Sequence, residues 1–352
     1  MKLSREQSTT VPSTDVEGPE RPAELSGTGT ESAAPDGPLR ERLEILEPIL
    51  MDFGDALGGD PVDLGDLPFT EGTAEQLPAS LFVAHDRTML DLVAEWLDAG
   101  HHVGITSEAG SGKSALRANV ERELGGREEY VVASVDLASA TERRVHERLL
   151  RACRTRGYEV DPDDYWEVAD GIPWTTEGTR RAVVDVAEQA AADDRTVYLV
   201  ADGFEDVTDA TFETLRAVAD AGVRLFVLGR PAGRFRRNEL AADLAAEMRV
   251  LDGFEGFDER DVAEYCARSL ARFRGESFDG TPSGLFSGDA ISSVAERSDG
   301  NPRRVRLTCL DLFTRAAHAW HHSEAGIDEV TVTTGLLDHD LGFETETAPF
   351  GD

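Results

Sequence analysis

The stretch Val103-Gly104-Ile105-Thr106-Ser107-Glu108-Ala109-Gly110-Ser111-Gly112-Lys113-Ser114 decides the fold. Its first four residues read as a short apolar strand, and residues 113–124 read as the helix that leaves the loop. A strand, a glycine loop and a helix in this order form a cradle for phosphate oxygens. Gly110 and Gly112 let backbone N–H groups converge without Cβ clashes. The helix start adds the positive end of its dipole. Lys113 is one of only two lysines among 35 basic residues. A compact ammonium reaches outer phosphates where a planar guanidinium fits poorly. Residues Gly110, Ser111, Gly112, Lys113, Ser114 and Ala115 are therefore the candidate phosphate-binding set, with the Ser114 hydroxyl placed for Mg²⁺. Ser107 stands where the usual pattern has its first glycine.

Three further elements support that reading. Tyr198-Leu199-Val200-Ala201-Asp202 is a buried strand ending in a carboxylate, and Asp202 fits the acid that holds Mg²⁺ beside such a loop. Gly203-Phe204-Glu205-Asp206 follows, and either Glu205 or Asp206 could polarise an attacking water; the alternative is a solvated loop or a helix cap. Arg230 closes the strand 224–229, where it could reach a γ-phosphate. In Gly300-Asn301-Pro302-Arg303-Arg304, Pro302 opens a helix and Arg303 or Arg304 could lie across bound phosphates. The plainer reading of those arginines is a solvated helix start.

Around these motifs, apolar runs alternate with helical patterns from residue 81 onward. Strands are expected at 103–106, 130–137, 197–201, 223–228 and 248–251, with helices between them. Such interleaving predicts a parallel sheet of about five strands covered on both faces. After residue 253 only helical patterns remain. The expected organisation is a disordered tail over 1–38, an acidic linker with a short helix over 39–80, an α/β domain over 81–253, a small all-helical lid over 254–335 and a tail over 336–352. In the linker, Leu43, Leu46 and Leu50 share one helical face with Ile49 beside it. Phe53, Leu57, Leu64, Leu67 and Phe69 are isolated apolar anchors, read as a linker draped over the domain or as a docking segment for a partner.

The net charge of −34, with 69 acidic residues, is spread along the chain. In about molar salt the Debye length is about 3 Å and such self-repulsion is screened, so the composition reads as salt-adapted and haloarchaeal-like. It argues against non-specific nucleic-acid binding, which draws on basic patches and weakens with salt. Cys153, Cys266 and Cys309 read as buried reduced thiols of a cytoplasmic protein. No apolar run is long enough for a membrane span. His318, His321 and His322 share a helix face but lack a partner set for a metal. Trp96, Trp166 and Trp174 read as packing residues, and His101 and His102 as loop residues.

Taken in order, the motifs resemble the AAA+ and STAND superfamily of P-loop ATPases. Residues 107–114 are similar to its Walker A loop, 197–206 to Walker B, 226–231 to the sensor 1 strand and 300–304 to the lid segment of archaeal origin-recognition-type and general-secretion-pathway ATPases. Ala84-His85-Asp86-Arg87 is similar to the segment that caps adenine. The resemblance implies ATP and Mg²⁺ as ligands, with Pro302 and Arg303 at the nucleotide and Arg234, Arg236 or Arg237 as candidates for an arginine finger, the plainer reading of these three being a charged helix start. It also implies an unknown protein partner or self-association. Two departures stand out. Gly203 occupies the position of the catalytic glutamate of standard AAA+ enzymes, and no winged-helix domain of the initiator type follows the lid, so DNA is the less favoured partner.

Overall fold

The computed structural model describes residues 38–70, 77–165, 176–231 and 248–338. All of them belong to the unit Ala33–Asp352. The described elements are, in chain order, α1 (Pro38–Ala56), α2 (Arg87–Asp98), β1 (Val103–Thr106), α3 (Lys113–Gly125), β2 (Tyr130–Asp136), α4 (Glu142–Thr155), α5 (Pro162–Tyr165), α6 (Thr176–Ala192), β3 (Thr196–Asp202), α7 (Asp209–Asp220), β4 (Arg224–Gly229), β5 (Arg249–Asp252), α8 (Glu259–Phe273), α9 (Gly288–Ser298) and α10 (Pro302–His321). Residues 1–37 of the expected tail, Trp166, Trp174, Arg234, Arg236, Arg237 and the C-terminal stretch 339–352 lie outside the described residues, while Pro38 already opens α1.

The fold is α/β. Five parallel strands form one sheet in the order β2-β3-β4-β1-β5. β4 lies between β1, which feeds the glycine loop, and β3, which ends in Asp202. Alternation along the central strands explains their unbroken apolar runs. Val197, Leu199, Ala201, Leu225 and Val227 face the core built with α4, α6 and α7. Tyr198, Val200, Phe226 and Leu228 face the opposite core, built with α2 and α3. A strand buried on both faces has no polar positions to alternate with. His102 is more than a loop residue: its Nδ1 accepts the Leu225 N–H at 3.1 Å, tying the entry of β1 to β4.

Helix starts follow capping chemistry. Asp86 accepts from the Met89 N–H, Thr141 from Arg144 and Thr208 from Thr211. Asp258 and Asp261 form a reciprocal capping box on α8.

The helical part departs from expectation. It is built from both ends of the described chain. Leu43, Leu46, Leu50 and Phe53 of α1, with Leu67 and Phe69 beyond it, are buried in one cluster with Val262, Cys266, Leu310 and Phe313 of α8 and α10. The described residues of 39–80 are thus no linker draped over an α/β domain: Phe53, Leu67 and Phe69 are buried in this core, and Leu57 and Leu64 pack against it. They close a core that α8, α9 and α10 leave open. Phe69 holds a left-handed backbone (φ 68°), uncommon for a bulky side chain, with its N–H donated to Ser269 Oγ at 3.1 Å. Leu336 and Leu337, expected in a tail, pack on the same cluster. The three cysteines are buried, as expected, and Cys266 and Cys309 bring their sulfurs to 3.5 Å between α8 and α10. Among the described residues no helix is long and apolar enough to cross a membrane.

His146 is an exception to good burial. It is 1% exposed in the core under α4, and neither ring nitrogen has a hydrogen-bond partner among the described residues. Burial, reinforced by the Arg180 charge and opposed by Glu177, pushes its pKa from 6.5 down to about 4. The unfolded chain therefore binds the proton more readily between those values. Stability is full above about pH 6.5 and falls by about 3 kcal/mol as pH drops towards 4. In urea titrations across that range, His146→Leu is expected to flatten the slope and to raise stability most at the acid end. An unchanged slope would refute this account.

Candidate functional site

Local chemistry converges at the carboxyl ends of β1, β3 and β4, the edge where open α/β sheets carry ligands. β1 runs into the loop at Ser107, which is buried and donates its N–H to the Gly229 carbonyl at 3.1 Å. The described non-glycine residues with positive φ are Phe69, Asp194 and Asp299, so Ser107 replaces a glycine without backbone strain. The turn itself needs glycine at two places: Gly110 has φ 79° and Gly112 has φ 95°. Gly112 then opens α3.

Lys113 is 9% exposed and curls back over the loop, its Nζ donating to the carbonyls of Ser107 at 2.6 Å and Glu108 at 2.7 Å. The Ser111 hydroxyl lies 3.5 Å from the same nitrogen. Burial pushes the ammonium below its ordinary pKa, the charges of Asp202, Glu205 and Glu108 draw it back up, and Arg230 lowers it further.

The Ser114 hydroxyl donates to Asp202 Oδ2 at 2.7 Å, across 88 residues of sequence. Asp202 Oδ1 accepts the Gly203 N–H at 2.9 Å. These are hard oxygen donors of the kind Mg²⁺ prefers, adjacent to the loop. A residue overlooked in the sequence joins them. Arg117 is buried one turn beyond Lys113, with Nη1 4.0 Å from Asp202 Oδ2 and Nε 3.2 Å from Glu121 Oε1. Glu121 in turn takes the Ser134 hydroxyl on β2. The i, i+4 spacing of Lys113, Arg117 and Glu121 on one helix face was the available signal.

Gly203 turns the chain after β3 with φ 77°. A Cβ there would lie 3.2 Å from the Ala138 nitrogen and 3.3 Å from Asp136 Oδ1, so a glutamate at this position would be strained in its backbone and tightly packed. Glu205 and Asp206 come next, and the structure separates them. Glu205 is largely buried, with Oε1 2.6 Å from Arg230 Nε and Oε2 accepting the Arg230 backbone N–H at 3.0 Å. Burial alone would raise its pKa, but these bonds outweigh it and hold the carboxyl below the usual range. Asp206 is exposed and 3.7 Å from Arg230 Nη2.

The helical part closes the site. Arg303 donates its backbone N–H to the Gly110 carbonyl at 3.2 Å, and Asn301 Nδ2 reaches the Ala109 carbonyl at 2.9 Å. Pro302 Cγ lies 3.9 Å from where a Gly112 Cβ would sit. Pro302 and the Arg303 backbone are thus brought to the loop, while Arg303 and Arg304 are themselves exposed. The Ala84–Arg87 segment meets the connector from β5 to α8: His85 packs at 4.9 Å from the Phe257 ring and 5.8 Å from Phe254, while Asp86 Oδ2 accepts the Glu255 N–H at 3.3 Å. The His322 ring meets those of His318 and His321 edge to face, and no metal-binding cluster of His, Cys, Asp or Glu occurs among the described residues.

The glycine loop leaving β1, the carboxylate ending β3 and the helical unit seated beside them define a P-loop NTPase-type α/β fold with a helical domain. No protein-family model matches the chain, and no curated protein matches it. Among solved structures it is similar to a point mutant of Thermogota maritima RuvB, at 13% identity and a TM-score of 0.43, over 73% of this chain and 68% of that one.

Proposed function

We propose that the chain binds Mg-ATP between the glycine loop and the start of α10, as an AAA+-type ATPase or switch whose nucleotide state sets the seating of the helical lid. The observation that carries this reading is the 2.7 Å bond from Ser114 to Asp202 beside the buried Lys113, which joins two distant motifs at one point. Lys113 and the loop amides would hold the β- and γ-phosphates, and Ser114 and Asp202 would hold Mg²⁺. Mg²⁺, when bound, neutralises phosphate charge. Arg230 would exchange Glu205 for the γ-phosphate, freeing the Glu205 carboxylate to polarise water. The lid would then transmit the bound state to a protein partner or a second copy of the chain.

A second reading has its own observation. Both Glu205 oxygens are occupied by Arg230, and Gly203 replaces the glutamate of standard enzymes. A chain that keeps this pair closed binds nucleotide and barely hydrolyses it, acting as a nucleotide-gated scaffold. Steady-state turnover decides between them, measured in molar KCl to suit the acidic composition. If Glu205 is the base, Glu205→Gln lowers kcat by about 10²- to 10⁴-fold with Mg-ATP affinity retained. A scaffold shows negligible wild-type turnover and no difference in the variant. Absence of Mg-ATP binding to the wild type would discard both.

A further inference from the structure

Four consecutive carbonyls of the glycine loop are held, and by two different parts of the chain. Lys113 takes those of Ser107 and Glu108. The helical unit takes the next two: Asn301 Nδ2 donates to the Ala109 carbonyl at 2.9 Å and the Arg303 backbone N–H to Gly110 at 3.2 Å. The same Asn301 caps α10, its Oδ1 accepting the N–H groups of Arg303 at 3.1 Å and Arg304 at 3.2 Å. One side-chain amide therefore fixes a helix start with its oxygen and the phosphate loop with its nitrogen.

Packing leaves this contact little slack. A Cβ on Gly110 would lie 2.7 Å from Asn301 Oδ1 and 3.0 Å from Arg303 Cβ. Behind Asn301, Gly300 (φ 65°) sits against Gly256, where a Cβ on Gly300 would come within 2.8 Å of the Gly256 backbone. The Phe257 N–H closes that contact on the Gly300 carbonyl at 2.7 Å. In a trans peptide the C=O and N–H point in opposite directions. Holding the Ala109 carbonyl towards α10 turns the Gly110 N–H away from it.

We propose that Asn301 is a positioning residue for the phosphate loop. Its amide, carried by the helical unit, sets the Ala109–Gly110 peptide and so makes phosphate affinity depend on how α10 is seated. This rests on the nucleotide reading above. Asn301→Asp keeps an oxygen for the helix cap and removes the donor. Asn301→Ser keeps a shorter cap oxygen, cannot reach the loop and adds no charge. Full-length wild type, both variants and Lys113→Ala are titrated calorimetrically with Mg-ATP and with Mg-tripolyphosphate, which has no base, and their melting temperatures are recorded. The expected result is near-wild-type melting for both Asn301 variants, with affinity for both probes lowered about tenfold, the scale of one lost hydrogen bond. A purely structural role would shift melting and leave affinity in place, overturning the proposal. So would wild-type affinity in both Asn301 variants while Lys113→Ala binds poorly. No Mg-ATP binding by the wild type would overturn the nucleotide reading, and this inference with it.

Discussion

Lys113→Ala is expected to weaken Mg-ATP binding by about thirtyfold or more while leaving the chain folded. The ammonium is buried, charged groups converge on it, and it spans the two carbonyls at the start of the loop. Truncating a buried, hydrogen-bonded charge that meets an opposite charge costs about 2–5 kcal/mol. That is a loss of affinity from about thirtyfold to several thousandfold. Two effects contribute, and Lys113→Arg separates them. Arginine keeps the charge, but its planar fork cannot occupy the compact point between Ser107 and Glu108. It should recover a fraction of the affinity and no more. Titration with ATP and ADP gives a further check, since the loss should be larger for ATP if Lys113 meets the outermost phosphate. Binding by Lys113→Ala indistinguishable from the wild type would end the nucleotide reading.

The sheet and the centre of the site were legible in the sequence because their signals are local. Each strand is a short apolar run, Gly110, Gly112 and Gly203 mark turns, and Asp202 ends a strand whose five middle residues are all buried. Residues 197–201 are fully apolar because both faces are covered. The pairing of Glu205 with Arg230 was not legible, because 25 residues separate them and only folding shows which carboxylate the guanidinium takes. Arg117 was passed over as one more arginine among many, and its meaning comes from Asp202 on a different element. The N-terminal segment was misread for the same reason. After Leu50 its apolar residues lose periodicity, and isolated anchors in an acidic, glycine-rich stretch look like a linker. Phe69 finds its backbone partner, Ser269, 200 residues away.

That misreading yields the second large effect. Phe53→Ala is expected to destabilise the helical unit by about 3–5 kcal/mol, the range for emptying a buried aromatic site. Phe53 is fully buried, with its ring 5.2 Å from Phe313 and 5.4 Å from Trp320. Neighbours from two segments of the chain meet there, and neither can collapse into the space without moving α1 off α10. Were 39–80 a linker, the same substitution would cost only a few tenths of a kcal/mol, as for surface changes elsewhere. Urea denaturation followed by calorimetry, with Ile45→Ala as the control on the exposed face of α1, separates the two cases. Equal stability of Phe53→Ala and Ile45→Ala would show that α1 is not part of the core. The effect should reach the site as well. The helix that Phe53 supports begins at Asn301 and Arg303, which hold the Ala109 and Gly110 carbonyls. Loosening α10 in this variant should therefore weaken Mg-ATP binding below the melting transition, and tripolyphosphate binding along with it.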